Sequence, residues 1–527
     1  MKVSRELIES IAFLAVYFSA LWLYTLPIQH NPLPFGDVDA SSHFVIGDYI
    51  SSHDTSIFKQ PDYILNRYGG QNAMFPGYIW YPPQYWTNTA IAQVLGGERS
   101  LPFFIAIAVF CTAILASSYV LIRSLFGFWP AILSSLLLAF STRDYMVYLW
   151  GQWPQSLSFA FTPLALYSYY RYQESRSADK EQPLYLYFLS LTLLAQFLFH
   201  PQGMIASILA LIIFTIVLSI KRKKIPVNIK HALFAASVFI ALSLIAAPLN
   251  IGEFFSQLTS KEEGTKTGLQ LDKLFKWYQG IKNDPGLPDF YFTYNKSHGT
   301  LKDTALSWWT LPLLLIGIAA LALRRTDKDY LMLSFLVSFY ILTRLAVIGM
   351  GQKDIRMFAY EAHVFYPIIA IGALSIPSLI KRAQIKTLAR FGIIILFIVC
   401  TIFINGNSAY STLKSQEQSI TRINSNEYEA ADWMRQNLPE QANVYIMGTY
   451  GFQFFGGKIK WLNVLSQRTF VLEPELINTA DHVVVDYTDA LALGNQQYLT
   501  AVQQFDQSLS NSSLLYNKGN IKVYKVV

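Results

Sequence analysis

Residues 8–44 of this 527-residue chain read IESIAFLAVYFSALWLYTLPIQHNPLPFGDVDASSHF, an apolar run followed at once by a short acidic segment. A helix needs about 20 mostly apolar residues to cross a hydrocarbon core of roughly 30 Å, and the run from 8 to 26 is close to that length. Asp37, Asp39 and His43 come soon after it. The stretch therefore predicts a membrane-spanning helix that is followed by titratable side chains at the membrane boundary.

The composition extends this prediction to the whole chain. Hydrophobic residues make up 53% of it and charged residues 14%, with a mean hydropathy of +0.30, which is not typical of a soluble protein. The formal net charge is +7, but the basic residues form short clusters between apolar runs, a pattern of membrane topology and not of nucleic-acid binding. Cys111 and Cys400 lie inside apolar runs and provide neither a disulfide framework nor a thiolate metal site.

About eleven apolar runs can be counted along the chain. They cover approximately residues 8–26, 101–122, 126–140, 154–170, 184–199, 204–220, 232–248, 305–323, 330–349, 364–380 and 391–404. Because no small-residue cleavage site follows the first run and many more runs come after it, we expect an uncleaved signal anchor. The pattern predicts a polytopic α-helical membrane protein with about eleven transmembrane helices.

The basic residues predict its orientation. With a cytoplasmic N-terminus, alternate loops carry Arg123; Arg171, Arg176 and Lys180; Lys221 to Lys224; Arg324, Arg325 and Lys328; and Lys381, Arg382, Lys386 and Arg390. The short loops on the opposite side hold only Arg143, Lys353 and Arg356. The positive-inside rule then predicts a multi-pass protein of the cell membrane with a cytoplasmic N-terminus and an extracytoplasmic C-terminus.

Three long hydrophilic segments fall on the outer side in this topology. Segments 27–100 and 249–304 belong to the transmembrane domain, residues 1–404, and the third is the C-terminal domain, residues 405–527. The third segment predicts a small α/β domain. Its signals are a capping box at Asn426 and Glu429, strands at 443–447, 481–486 and 522–527, and a hairpin turn at 517–520.

No Walker-type loop, HExxH or GxSxG motif occurs in the sequence, which argues against ATP as a direct energy source.

The acidic segment allows two interpretations. If a helix starts near Asp39, His43 lies one turn further on the same face, where the pair can share a proton, a metal ion or a substrate hydroxyl. Alternatively, Asp39 only caps that helix and His43 faces solvent.

Farther along, Gly69-Gly70 and Trp80-Tyr81-Pro82-Pro83 predict either an interfacial aromatic belt or a shaped structure that lines a cavity.

The chain resembles the GT-C superfamily of membrane glycosyltransferases. The features that carry the resemblance are the acidic motif after the first span, the histidine four residues on, the Gly-Gly and Tyr-Pro-Pro segments, the many spans and the outer C-terminal domain. The resemblance implies a GT-C-like fold and a sugar donor carried on a polyprenyl phosphate. It also implies that Asp39, or alternatively Asp37, acts on the acceptor.

The same resemblance raises the question of a metal ion. In the oligosaccharyltransferase branch, an acidic pair in the second outer loop binds a divalent cation. This chain has only Asp144 there. Two alternatives therefore remain open. In one, Asp37, Asp39 and Asp144 hold a Mg or Mn ion, and in the other the site contains no metal ion.

The chemistry of the transfer suggests further candidates. A leaving phosphate needs cations, and the outer loop after the ninth run offers Arg356 and Lys353, whose alternative role is to pair with Asp354 or Glu361. Substrate-lining candidates are the polar and aromatic residues near the outer ends of the runs, each with an interfacial or structural role as the alternative. They are His43, Tyr81, Arg143, Trp150, Gln152, His200, Glu361 and His363.

These features predict an inverting glycosyltransferase of the hexosyl or pentosyl class in the lipid bilayer, with Asp39 as the base. The acceptor is a lipid, a glycan or a protein, and nucleic acid is not expected as a partner. The alternatives are a non-enzymatic transporter or flippase of lipid-linked sugars, an oligosaccharyltransferase-like enzyme, and a scaffold protein whose outer domain is the working part. The apolar runs are almost free of charge at their centres, which disfavours transport.

Overall fold

The computed structural model describes residues 4–36, 38–59, 61–63, 82–178, 180–247, 309–343, 360–419, 422–448, 457–472 and 474–526. It is mostly helical, with one small sheet near the C-terminus. Up to residue 415 the helices are α1 (Arg5–Gln29), α2 (Val38–Ser52), α3 (Gln84–Gly96), α4 (Leu101–Phe126), α5 (Phe128–Ala139), α6 (Thr142–Leu149), α7 (Trp153–Ala160), α8 (Thr162–Ser177), α9 (Leu184–Phe199), α10 (Pro201–Arg222), α11 (Ile229–Ala246), α12 (Thr310–Arg324), α13 (Asp327–Leu342), α14 (Ala362–Ser375), α15 (Ala383–Cys400) and α16 (Asn407–Ser415).

Within the described ranges, six helical stretches are long and apolar enough to cross a membrane. They are Arg5–Gln29, Leu101–Phe126, Pro201–Arg222, Ile229–Ala246, Ala362–Leu379 and Ala383–Ser415, and three shorter apolar helices are Phe128–Ala139, Leu184–Phe199 and Thr310–Arg324. The chain is thus a multi-pass membrane protein, as the apolar runs predict. The count of eleven spans and the orientation stay predictions.

The predicted run at 154–170 is helical but interrupted. Helix α7 ends at Ala160 and α8 begins at Thr162, with Pro163 in its first turn. Proline has no amide hydrogen, so it favours the first turn of a helix and kinks or breaks a helix that continues through it, which agrees with the break here. A hydropathy profile does not detect it because Phe161 and its neighbours are apolar.

The chain forms two compact units. The first unit contains Met1–Tyr24, Ala108–Val147 and Trp153–Leu413, and the second unit contains Thr25–Ile107, Tyr148–Gln152 and Lys414–Val527. The predicted outer loop at 27–100 and the chain after residue 413 therefore fall within one unit.

Glycines allow two helices of the first unit to pack closely. A Cβ atom on Gly372 of α14 would lie 2.0 Å from the carbonyl oxygen of Leu313 in α12, and one on Gly317 would lie 2.2 Å from that of Ile368. Small residues at crossing points are a common means of helix association in membranes.

The C-terminal α/β region (residues 422–526) contains a five-stranded sheet in the order β2-β1-β3-β5-β4. Its elements are α17 (Ser425–Asn437), β1 (Asn443–Met447), α18 (Gly457–Ser466), β2 (Thr469–Val471), β3 (His482–Asp486), α19 (Thr488–Leu493), α20 (Gln496–Ser508), β4 (Ser513–Lys518) and β5 (Ile521–Lys525). Strands β2, β1 and β3 are parallel, and β5 is antiparallel to both β3 and β4. Val483, Val485 and Val502 form part of its core.

The predicted strands and hairpin of this region are present, but the predicted capping box is wrong by two residues. Asn424, and not Asn426, caps α17, and its partner is Glu427, whose carboxylate accepts the amide of Asn424 at 2.7 Å. Both pairs fit the same four-residue pattern. The difference is that Glu427 is buried, whereas Glu429 is exposed.

A buried cluster of charges connects α17, α18 and α19. Lys458 Nζ lies 2.6 Å from Glu427 Oε1 and 2.5 Å from Asp489 Oδ1, and Asp486 is also fully buried. Burial and, secondly, the charge of Asp486 raise the pKa of Glu427 to about 8. One lysine cannot neutralise three buried carboxylates, so the cluster retains a proton on Glu427 at neutral pH.

This proton predicts a pH dependence of stability. The ordinary pKa is 4.5 and the folded value is about 8, so the folded chain binds more protons than the unfolded chain between these values. The free energy of unfolding therefore falls as the pH rises from 4.5 towards 8. We expect Glu427→Gln to reduce this slope in thermal unfolding of the purified protein, whereas Glu429→Gln on the same helix keeps it. Equal slopes in both variants would contradict the assignment.

The close helix crossing gives a second prediction. Gly372→Val places side-chain atoms against main chain that cannot move aside, and we expect destabilisation of at least about 3 kcal/mol, the upper range of overpacking. Gly392→Val is the control, because a Cβ atom on Gly392 meets no heavy atom within 4 Å. Thermal unfolding in detergent compares the two, and similar midpoints would show that the crossing is not tight.

Candidate functional site

The acidic segment leads directly into a helix of the second unit. Helix α2 begins at Val38, so Asp39 lies in its first turn, where a carboxylate interacts favourably with the helix dipole. The prediction of a helix start near Asp39 is confirmed, and the side chain is half-buried. Asp37 lies outside the described residues.

His43, one turn after Asp39, is buried and does not face solvent. Trp86 Nε1 in α3 donates a hydrogen bond to His43 Nδ1 at 3.3 Å, and the Tyr85 ring meets the imidazole edge-on. An imidazole that accepts at Nδ1 carries its proton on Nε2 when neutral. The packing against α3 therefore sets both the orientation and the tautomer of His43.

Two predicted substrate-lining residues flank a close contact with the same helix. Gly151, between Trp150 and Gln152, has φ of +83°, and a Cβ atom there would lie 2.2 Å from the amide nitrogen of Ala40. Because Ala40 follows Asp39 in α2, segment 150–152 lies beside the first turn of the acidic helix. The pattern of tryptophans in the sequence gives no indication of this contact.

Residues of the C-terminal α/β region hold α2 along its length. Trp461 Nε1 donates to the carbonyl oxygen of Gly36 at 3.0 Å, and its ring packs edge-on against Phe44 at 5.4 Å. Near the end of α2, the carboxylate of Asp48 accepts two hydrogen bonds from Arg99, at 2.7 and 2.8 Å, and one from Gln467. Sequence reasoning missed all of these residues, since their partners are distant in sequence.

A second polar cluster lies inside the first unit. His363 Nε2 is 2.7 Å from Asp144 Oδ1, and Arg143 Nη1 is 3.8 Å from Glu361 Oε2, with all four side chains buried. Helix α6 supplies Arg143 and Asp144, and the start of α14 supplies the other two. Three of the predicted substrate-lining residues therefore come together with Asp144, which the sequence suggests only as a metal ligand.

An aromatic wall adjoins this cluster. The Tyr360 ring stacks on Phe159 at 4.1 Å and meets His363 edge-on, and its hydroxyl lies 3.2 Å from Ser156 Oγ. Asp144 Oδ2 and His363 Nδ1 are buried and have no hydrogen-bond partner within the described ranges. Carboxylate and imidazole atoms of this kind can bind a hydroxyl group or a proton from a ligand.

The remaining predicted site residues, His200, Tyr81, Lys353 and Arg356, are not part of either cluster as described. His200 is buried at the N-cap of α10, where its Nδ1 accepts the amide of Gln202 at 3.3 Å, a contact that supports a capping role. Tyr81, Lys353 and Arg356 lie outside the described residues. In the part of the chain that the structure describes, no three His, Cys, Asp or Glu side chains are grouped for a metal ion. Because Asp37 lies outside that part, the metal site stays a prediction.

Comparisons with known proteins identify the fold. A family model described as "Family of unknown function (DUF6541)" matches residues 11–445, and a sequence search of curated proteins gives no match. ArnT from Cupriavidus metallidurans, bound to undecaprenyl phosphate, has a similar structure with a TM-score of 0.60 and 11% identity over 98% of this chain and 97% of ArnT.

Archaeal structures are also similar. The apo oligosaccharyltransferase of Archaeoglobus fulgidus has a TM-score of 0.55 and 15% identity over 94% of this chain and 68% of its own. AglB from Archaeoglobus fulgidus, in complex with an inhibitory peptide and a dolichol-phosphate, has a TM-score of 0.50 and 14% identity over 94% and 68% of the two chains. The chain therefore has the fold of GT-C membrane glycosyltransferases, as its sequence predicts.

The contact beside Asp39 gives a testable prediction. Gly151→Ala combines a positive φ with a clash against main chain, whereas Gly97→Ala has a φ of +71° and no heavy atom within 4 Å. We expect about 1 kcal/mol of destabilisation for Gly97→Ala from backbone strain alone. Gly151→Ala should exceed it by about 1–3 kcal/mol, the usual cost of overpacking. Thermal unfolding checks this, and equal losses would mean that segment 150–152 does not press on α2.

Proposed function

The chain belongs to the DUF6541 family, a family of unknown function, and from its fold we propose that it is an integral membrane glycosyltransferase. The observation that carries the proposal is the similarity to ArnT over nearly the whole length of both chains, in a structure that contains undecaprenyl phosphate. An AglB structure of the same fold contains dolichol-phosphate. Both ligands are polyprenyl phosphates, the carrier that the GT-C resemblance implies for the donor.

The proposed reaction moves a sugar from a polyprenyl-phosphate carrier to an acceptor hydroxyl or amide. Asp39 takes the acceptor proton, the acceptor oxygen or nitrogen attacks the anomeric carbon, and the bond to the phosphate breaks. A single in-line attack inverts the anomeric centre. Two features support Asp39: its position in the first turn of α2 and the dense packing that holds this helix.

The departing phosphate needs positive charge. We assign this role to Arg356, with Lys353 beside it, on the basis of the sequence. The proposed orientation has the N-terminus in the cytoplasm and residues 405–527 outside. The proposal includes a Mg or Mn ion bound by the acidic segment of Asp37 and Asp39, and a chelator tests for it.

An oligosaccharyltransferase-like activity is the second candidate. The similarity to the Archaeoglobus fulgidus enzyme favours it, and its acceptor would be a peptide. However, this chain matches only 68% of that enzyme but 97% of ArnT. The single Asp144 also departs from the acidic pair of that branch. We therefore favour transfer of a single sugar, with a lipid, a glycan or a protein as acceptor.

The proposal predicts that Asp39→Asn strongly lowers turnover. The experiment supplies purified protein in lipid vesicles with hexose- and pentose-linked undecaprenyl phosphates and candidate lipid, glycan and peptide acceptors, and it measures release of the carrier. Removal of a base is expected to lower the rate about 10²- to 10⁴-fold. The control is Asp54→Asn, an exposed aspartate of the same hydrophilic segment, which should keep the wild-type rate.

The outcomes are distinguishable. Normal turnover in a folded Asp39→Asn protein would move the base to Asp37. Repeating the assay with a chelator reports on the metal ion. Absence of turnover and of binding with every donor would contradict the glycosyltransferase proposal as a whole.

A further inference from the structure

Arg422 makes an unusual set of contacts with the chain just before the acidic helix. Its guanidinium is buried and hydrogen-bonded to main-chain carbonyl oxygens. The acceptors are Pro27 at 2.6 Å, Asn31 at 2.5 Å, Pro34 at 3.3 Å, Gln416 at 3.3 Å and Leu33. The carbon of the guanidinium lies 5.5 Å from the centre of the Phe35 ring.

The local sequence explains why an arginine is needed here. Segment 31–36, Asn-Pro-Leu-Pro-Phe-Gly, contains two prolines and is neither helix nor strand, so its carbonyls lack the partners that regular structure provides. Pro34 and Phe35 are buried, which makes solvation by water a poor substitute. The guanidinium has five donors in a rigid plane and can serve several carbonyls at once.

Main-chain dipoles surround the guanidinium of Arg422, and the charge of Glu417 also acts on it. Within the described ranges, every hydrogen bond of this side chain goes to a main-chain carbonyl. Burial lowers its pKa to about 10, so the side chain remains charged at neutral pH. A buried cation that donates only to neutral groups, as Arg422 does within the described ranges, is costly, and the fold nonetheless places one next to segment 31–36.

The held segment continues into the acidic helix. Phe35 is packed between Phe104, at 4.6 Å, and Tyr148, at 5.4 Å. The next carbonyl, that of Gly36, accepts the hydrogen bond from Trp461, and α2 with Asp39 begins two residues later. Arg422 and Trp461 thus fix the main chain on the N-terminal side of Asp39.

We infer that Arg422 is a positioning residue for Asp39: it holds segment 31–36 in the one path that delivers the carboxylate to its acceptor. The inference rests on the proposed function, in which Asp39 is the base. Arg422 itself takes no part in the chemistry. Its loss should therefore reduce the rate of the chemical step more than the affinity for the donor.

Arg468 provides a matched control. It is equally buried in the C-terminal α/β region and also donates to main-chain carbonyls, those of Arg435 at 2.7 Å, Leu438 at 2.5 Å, Gln467 at 2.9 Å and Ser466 at 3.4 Å. None of its hydrogen bonds within the described ranges reaches segment 31–36. Arg468→Gln therefore measures the loss of a buried arginine that reaches only the far end of α2, through Gln467 and Asp48, and not segment 31–36 on the N-terminal side of Asp39.

The experiment compares Arg422→Gln, Arg422→Lys and Arg468→Gln in the vesicle assay, with the undecaprenyl-phosphate sugar that the wild type turns over. We expect Arg422→Gln to lower kcat by about 10- to 100-fold, the effect of a small displacement of a catalytic group, with KM for the donor changed less than threefold. Arg422→Lys retains the charge with fewer donors and should recover part of kcat. Arg468→Gln should lower the unfolding midpoint but leave kcat near wild type.

A second measurement does not depend on turnover. Hydrogen exchange of peptides covering residues 31–44 should become faster in Arg422→Gln and Arg422→Lys and remain unchanged in Arg468→Gln. Unchanged exchange in the Arg422 variants, or equal losses of kcat in Arg422→Gln and Arg468→Gln, would overturn the inference. Faster exchange with no turnover by the wild type would confirm the hold on segment 31–36 and contradict the proposed function instead.

Discussion

The second unit depends on one constraint: a partly buried chain segment with two prolines must find hydrogen-bond partners for its carbonyls. Arg422 supplies them, because its five donors satisfy main-chain oxygens between Pro27 and Pro34 and at Gln416. Once this segment is fixed, Gly36 meets Trp461 and α2 follows in a defined direction. Asp48 then joins the end of the helix to Arg99 and Gln467. The position of Asp39 thus follows from residues that are hundreds of positions away in sequence.

In the first unit, buried polar groups find their partners in other side chains. Asp144 and His363 pair at 2.7 Å, and Arg143 lies near Glu361, all buried among apolar helices. Ionisable groups inside a membrane protein are costly to bury, and in most cases they are retained for a function. The ring of Tyr360 packs beside them, edge-on to His363 and stacked on Phe159. This cluster is therefore a reasonable place to test for contacts with substrate.

The sequence predicts what depends on local pattern. The apolar runs become helices wherever the structure describes them, and β1 at Asn443–Met447 matches its predicted bounds because apolar β-formers lie between polar turns. The helix at Asp39 and the turn at Gly519, which has a positive φ, follow from the same kind of signal. The position of the capping box is ambiguous in the sequence, since Asn424 and Asn426 both fit the pattern. Only the burial of Glu427 distinguishes them.

What the sequence does not predict depends on contacts across long separations. Nothing around Arg422 indicates that it binds carbonyls near Pro27, and nothing around Trp461 indicates a bond to Gly36. Asp144 and His363 are each plausible candidates alone, but their pairing requires the fold. The GT-C resemblance reaches further than local pattern because it includes the order of segments as well as their composition. It still leaves the sugar and the acceptor undefined.

The most direct test of the account is the fate of a radiolabelled sugar on undecaprenyl phosphate, supplied to wild-type protein in vesicles with candidate acceptors. The account predicts cleavage of the sugar–phosphate bond, release of undecaprenyl phosphate and a product with inverted anomeric configuration. Movement of the intact lipid-linked sugar across the bilayer without cleavage would contradict it and identify a transporter. Absence of both cleavage and binding, for every donor tested, would contradict it as well.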